Sequence, residues 1–321
     1  MSTDDRLIAS LLLIQRDLYR FGGPILMVIG TVSAIMSLMV FTKKTLRKNP
    51  CSIYFIAFNL FNVLLIFTSI LFATLSNGYG IDPRSRNLSF CRFRYYTMFL
   101  FDILGPSYLI LAAIDRILVT SRNARTRRWS TPRLAVASVI IITLFWLLLH
   151  IHLLILTNLV SLIPGFYQCY FQLGLHVTLV SYYSIIVKNI LIPLLMIIFG
   201  LWAVKNVRGI AHAPVISVVP TQDTNTRRNP RTDRSKERQL LRILLIEIIV
   251  YVIFNLMLAI VLIYQQVKQN EVKTPVQQRI QSLLLSVGAF STYIPFCTGC
   301  YTNLLASKTF RQEIKNIFLW K

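Results

Sequence analysis

Ala112-Ala113-Ile114-Asp115-Arg116-Ile117-Leu118 sets an acid and a base side by side where a long apolar run, residues 98–120, gives out. Cys91 stands at the other end of that run. At ~1.5 Å of rise per helical residue the steps from Cys91 to Arg116 cover roughly 37 Å, more than the ~30 Å hydrocarbon core of a bilayer. A helix of this length has one end in water on each side of a membrane.

The rest of the chain agrees. Of its 321 residues, 55% are hydrophobic and only 14% charged, and the mean hydropathy is +0.60. A soluble domain carries about a quarter charged residues, so that class is excluded. The formal charge of +22 would point to nucleic acid in a soluble protein. Here Lys and Arg gather in the segments between alternate apolar runs, which is the positive-inside pattern of a multi-pass protein. A lipid bilayer is the expected partner, and nucleic acid is not.

Seven spans can be marked, near 21–41, 53–74, 98–120, 134–156, 180–204, 240–264 and 280–304. No signal peptide precedes the first, because residues 1–20 lack a basic start and a small-residue cleavage site. Lys43, Lys44, Arg47 and Lys48 follow span one and should stay in the cytosol, which places the amino terminus outside. Arg122 to Arg133 after span three and the proline-broken basic stretch 205–238 fall on the same inner side. That stretch reads either as attraction to anionic lipid or as a docking surface for a cytosolic partner. The domains are then an extracellular segment, 1–20, a seven-span bundle, 21–306, and a cytoplasmic tail, 307–321. In the tail Phe310, Ile314, Ile317 and Phe318 recur at helical spacing, the pattern of a short helix lying in the membrane surface.

On the outer side Asn87-Leu88-Ser89 is an acceptor pattern for N-glycan. The loop around 157–179 has aromatics on both sides of Cys169 and suits a hairpin over the mouth of the bundle. Cys91 and Cys169 both fall outside, where disulfides persist, and are paired. Cys51, Cys297 and Cys300 are expected as free thiols. His150 and His152 sit two apart, so a helix would point them to different faces, and without neighbouring Cys or carboxylate they read as hydrogen-bonding residues. Pro193 should bend span five.

The outer cysteine at the head of span three, Asp115-Arg116 at its foot, Trp146 in span four, Cys169, Pro193 and the amphipathic tail together resemble a rhodopsin-like G-protein-coupled receptor over nearly the whole chain. The stretch 46–55, the Glu237-Arg238-Gln239-Leu240-Leu241 entry to span six and Ser307-Lys308-Thr309-Phe310-Arg311 are similar to invertebrate FMRFamide-type neuropeptide receptors. The resemblance implies an all-α bundle of seven helices with a short eighth. It implies an extracellular peptide or small-molecule ligand, a heterotrimeric G protein as partner and no cofactor. In the family the span-three arginine is held by its neighbouring acid and by an acid of span six. Asp115, Arg116 and Glu237 match those positions. Asn62 replaces the sodium-binding carboxylate of span two, Gly105 its hydroxyl partner, and Gly299 the span-seven asparagine, so an allosteric sodium site is not expected. The hinge of span six appears as Phe254-Asn255-Leu256-Met257 without its proline, and span seven keeps only the earlier Pro295.

Ionisable residues inside spans mark cavities or partners. Asp102 and Lys188, with Asn255, are the ligand-pocket candidates. Asp102 either pairs with Lys188 or receives a basic ligand group. Glu247 is read as protonated or paired. Other classes fit less well. No lysine in span seven offers the Schiff base of a light sensor, no internal repeat marks a transporter, and no nucleophile, metal cluster or phosphate loop marks an enzyme. A small-molecule chemosensory receptor, or a divergent receptor that couples weakly, is the rival reading.

Overall fold

Hydrocarbon offers no water to the backbone, so each spanning segment must bond within itself, and a helix does so. The computed structural model describes residues 3–47, 49–121, 123–163, 166–171, 174–211, 230–268 and 271–318. Among these, seven helices are long and apolar enough to cross a membrane: α1 (Thr3–Phe41), α2 (Pro50–Gly78), α3 (Leu88–Val119), α4 (Pro132–Leu156), α5 (Leu175–Val207), α6 (Pro230–Val267) and α7 (Pro275–Ala306). A shorter α8 (Lys308–Phe318) follows. Local sequence sets their starts. Asn49, Asn87, Thr131 and Thr274 each accept a backbone N–H of the first turn, and three of the four are followed by a proline suited to that position. Asn87, the glycan-acceptor candidate, is exposed and spends its Oδ1 on Phe90 N at 3.1 Å.

α3 is the axis. It packs on α2, α4, α5 and α6, and 72% of its most apolar window is buried against 17% for α4. Side-chain hydrogen bonds pin it: Trp146 Nε1 to Ser107 Oγ at 3.0 Å and Tyr108 to Thr143 at 2.8 Å. α1 closes the ring between α2 and α7. The outward faces of α4, α5 and α6 remain apolar, with Ile141, Leu201 and Ile260 about two-thirds exposed, as a lipid-facing surface requires.

Several details depart from simple spans. α1 begins at Thr3, so the boundary between residues 20 and 21 falls inside one helix that passes through a wide turn at Leu18–Gly22. Its first turns lie on α7 through Gln15 and Tyr19, both bonded to Ser286. α7 is two pieces, Pro275–Ser291 and Ile294–Ala306, with Pro295 in the opening turn of the second. In α5 a π-helical stretch, Tyr183–Leu191, precedes Pro193, and Asn189 Nδ2 reaches back to Ser184 O at 2.7 Å. The bend expected of Pro193 is thus shared with a widened turn. α4 breaks at His150, so the two imidazoles come within 6.4 Å instead of facing apart. His150 is buried between Trp146 O, 2.8 Å, and Tyr183 OH, 2.9 Å. The hairpin forms as expected, with β1 (Thr157–Ile163) antiparallel to β2 (Phe166–Phe171) and Leu159 opposite Cys169.

Gly30 is where α1, α2 and α7 meet. A Cβ there would stand 2.6 Å from Cys297 Sγ and 2.8 Å from Ile66 Cδ1. In a free helix Gly→Ala gains about 1 kcal/mol, whereas overpacking costs about 1–3 kcal/mol. We expect Gly30→Ala to lower the Tm of the purified protein by about 2–4 °C, measured by thermal unfolding in detergent. A rise in Tm would mean that the contact yields and propensity wins.

Candidate functional site

At one end of α3 the paired charges are buried, Asp115 to 4% and Arg116 to 1% exposure. Arg116 Nη2 donates to Asp115 Oδ2 at 2.6 Å and to Asn49 Oδ1 at 2.9 Å. The Ser130 hydroxyl donates to Asp115 Oδ1 at 2.5 Å. A buried ion pair survives only where further hydrogen bonds offset its desolvation, and here the start of α2 and the connection before α4 supply them. The pair therefore ties three elements together: Arg116 holds the start of α2 and Asp115 holds the connection before α4, so rotating Arg116 away frees α2 and leaves Ser130 on Asp115. The side chain of Glu237 lies outside the described residues.

At the other end Cys91 is disulfide-bonded to Cys169, joining the head of α3 to β2. Arg92 Nε donates to Thr157 O at 3.0 Å and Tyr95 OH to Cys169 O at 3.3 Å, so the hairpin is anchored on both strands. Cys51, Cys297 and Cys300 are free and buried. Deeper in, Lys188 makes an ion pair with Asp102, and its Nζ lies 4.7 Å from the centre of the Phe99 ring. Of the two alternatives for Asp102, the internal pair is the one present. Asn255 is buried and donates to Tyr251 O, 2.9 Å, one turn earlier in its own helix. No hydrogen bond among the described residues joins it to Asp102 or Lys188.

The family described as 7 transmembrane receptor (rhodopsin family) matches residues 33–299, which include both cysteines of the disulfide and the paired charges of α3. The chain belongs to that family. It is a receptor, not an enzyme. A search of curated proteins finds no match.

In this rhodopsin-family receptor Asn62 and Gly105, whose identities argued against a sodium site, are used for packing. Asn62 Nδ2 donates to Phe296 O at 3.3 Å, linking α2 to α7. A Cβ on Gly105 would stand 2.8 Å from Phe296 Cε1, so an aromatic ring takes the space of the hydroxyl partner. A hard cation wants charged oxygen ligands, and these residues do not fit one. Near Gly299 the receptor carries Glu247, 2% exposed, whose Oε1 accepts from the Thr302 hydroxyl at 3.1 Å. A Cβ on Gly299 would meet that same oxygen at 3.1 Å, so the small residue makes room for the acid.

Two further residues escaped the sequence reading. Pro106 lies inside α3 and removes the backbone donor that would have bonded Asp102 O. Arg94, in Cys91-Arg92-Phe93-Arg94, is 3% exposed. The signal was its spacing: three residues after Cys91, it shares that residue's inward face.

Proposed function

We propose that this receptor sits in the plasma membrane with its amino terminus outside and its carboxyl terminus in the cytosol. It binds a short extracellular peptide of neuropeptide type at the Cys91 end and activates a heterotrimeric G protein at the Arg116 end. The observation that carries the reading is Arg116 itself, a guanidinium 1% exposed and clamped by Asp115 and Asn49 at the foot of the most buried helix. Such a clamp is a resting state that a partner binding the opened form can displace, and a ligand favouring the open form shifts the population toward it. The basic residues of 43–48, 122–133 and 227–238 support the orientation. The anchored hairpin supports a ligand that meets the bundle at the disulfide end.

The test is G-protein activation in cells expressing an amino-terminally tagged receptor, challenged with a library of short peptides beside Arg116→Ala. Surface tag accessible in intact cells and a saturable response are expected, with the maximal response of Arg116→Ala down at least about tenfold at equal surface level, the loss of an ion-pair-sized contribution. A response that survives Arg116→Ala unchanged would overturn the coupling role. Silence in the parent receptor at good surface level would shift the reading to a small-molecule ligand.

A further inference from the structure

Arg94 holds a full charge in the interior of the Cys91 end with two of its three nitrogens unused. Its Nη2 donates to Ser69 O at 3.0 Å, while Nε and Nη1 are buried and have no hydrogen-bond partner among the described residues. The guanidinium lies over the Phe72 ring, 5.9 Å from its centre. The ionisable groups that act on it are Tyr293, whose hydroxyl also lies within hydrogen-bonding reach of the guanidinium, Tyr95 and Arg84, with no carboxylate among them. Nearby acids are committed elsewhere: Asp82 holds Arg84 through two charge-assisted bonds of 2.7 and 2.9 Å, and Asp102 holds Lys188. An unpaired buried charge is costly, and unused buried donors add to the cost.

The way in has matching charge. A cleft of about 820 Å³ opens between residues 9–20 of α1, the 76–80 turn that ends α2 and the start of α7. Arg16, Arg20 and Arg279 line it beside Leu12 and Leu13, and no carboxylate does. Ser76, which lines it, lies about one helical turn past Phe72, roughly 6 Å, and Tyr19, next to Arg20, interacts with Tyr293, which in turn interacts with Arg94. Two basic layers thus follow one another from surface to interior.

We infer that Arg94 is the anchor for a carboxylate-bearing ligand, which enters through the arginine-lined cleft and accepts from the guanidinium's unused donors. This rests on the receptor reading and deepens it: the ligand, peptide or small acid, presents a free carboxylate to Arg94, while Asp102 stays with Lys188. A planar guanidinium suits a carboxylate in a way that a lysine does not.

The test is thermal unfolding of the purified receptor, which involves no G protein, so a receptor that fails to couple still reports binding. Benzoate is compared with benzamide, and an acetylated dipeptide acid with its amide, at up to 10 mM on a constant-chloride background. Both acids should raise Tm saturably by about 2 °C or more and the amides should not. Arg94→Gln, which keeps a donor for Ser69 O, should abolish the shift. Arg94→Lys should weaken the acids about tenfold. A dipeptide acid that binds tighter than benzoate assigns the carboxylate to a peptide terminus, and the reverse order assigns it to a small-molecule acid. Equal shifts from acids and amides, no shift from either acid, or an acid shift that persists in Arg94→Gln overturns the inference. If Arg94→Gln does not fold, Tyr293→Phe, which keeps the ring and removes the neighbouring hydroxyl, should still weaken the acids several-fold, and the acid-against-amide comparison in the parent receptor decides alone.

Discussion

Replacing Cys91 or Cys169 by Ala costs this receptor about 4 kcal/mol, the chain-entropy value for a loop of this length. The bond closes a separation of 78 residues that includes α3, α4 and both strands. Opening it leaves the hairpin held by Arg92 and Tyr95, three neutral or singly charged contacts near the water interface, and by the packing of Phe171 on Tyr95 and Phe99. Each of those contributes about 1 kcal/mol, too little to hold β2 over the bundle. The expected result is a Tm lower by about 8 °C and a large fall in surface level by flow cytometry. The double variant Cys91→Ala/Cys169→Ala should be no worse than either single one, because the first substitution already removes the whole bond. Additive losses would show that each cysteine acts alone.

The second large effect is at Asp102 and Lys188. Their side chains are 23% and 17% exposed, so most of the hydration of both charges is lost. Removing one partner strands the other; a fully buried pair would cost about 3–5 kcal/mol, and the residual exposure reduces that to roughly 2–3 kcal/mol. Asp102→Asn and Lys188→Gln should each lower surface level and Tm. The double variant should recover much of the loss, with a coupling of about 1–3 kcal/mol. Simple additivity in a double-mutant cycle would mean that the pair contributes nothing jointly, and that each charge serves another partner. Lys188→Gln also removes the cation over Phe99, so the cycle is best run with Lys188→Arg beside it, which keeps the charge over the ring.

The spans, their number and the place of the disulfide could be read along the chain because each depends on composition over a stretch longer than its own error. A bilayer needs about 20 apolar residues, and 98–120 or 134–156 meets that requirement whatever the neighbours do. The Asp115-Arg116 pair was legible for the same reason, since adjacent residues at a span's end need no fold to bring them together. Helical continuity was not legible. The wide turn at Leu18–Gly22, the break at His150 and the restart at Ile294 are settled by which carbonyls a neighbouring helix or side chain can satisfy. Gly30 and Gly105 carry no sign in the sequence that a thiol and a phenyl ring will stand against them.

By itself, then, the sequence determined a seven-span bundle, the charged segments between its spans and the position of a paired acid and base. Those are properties of single segments against solvent and lipid. Only the tertiary structure decided that Lys188 meets Asp102, that Glu247 rests on Thr302 and that Arg94 meets no acid among the described residues. Each depends on how far one helix is rotated and slid against another. That register is set by the close packing of many side chains at once, so a residue 86 positions away can be a partner while one three positions away is not.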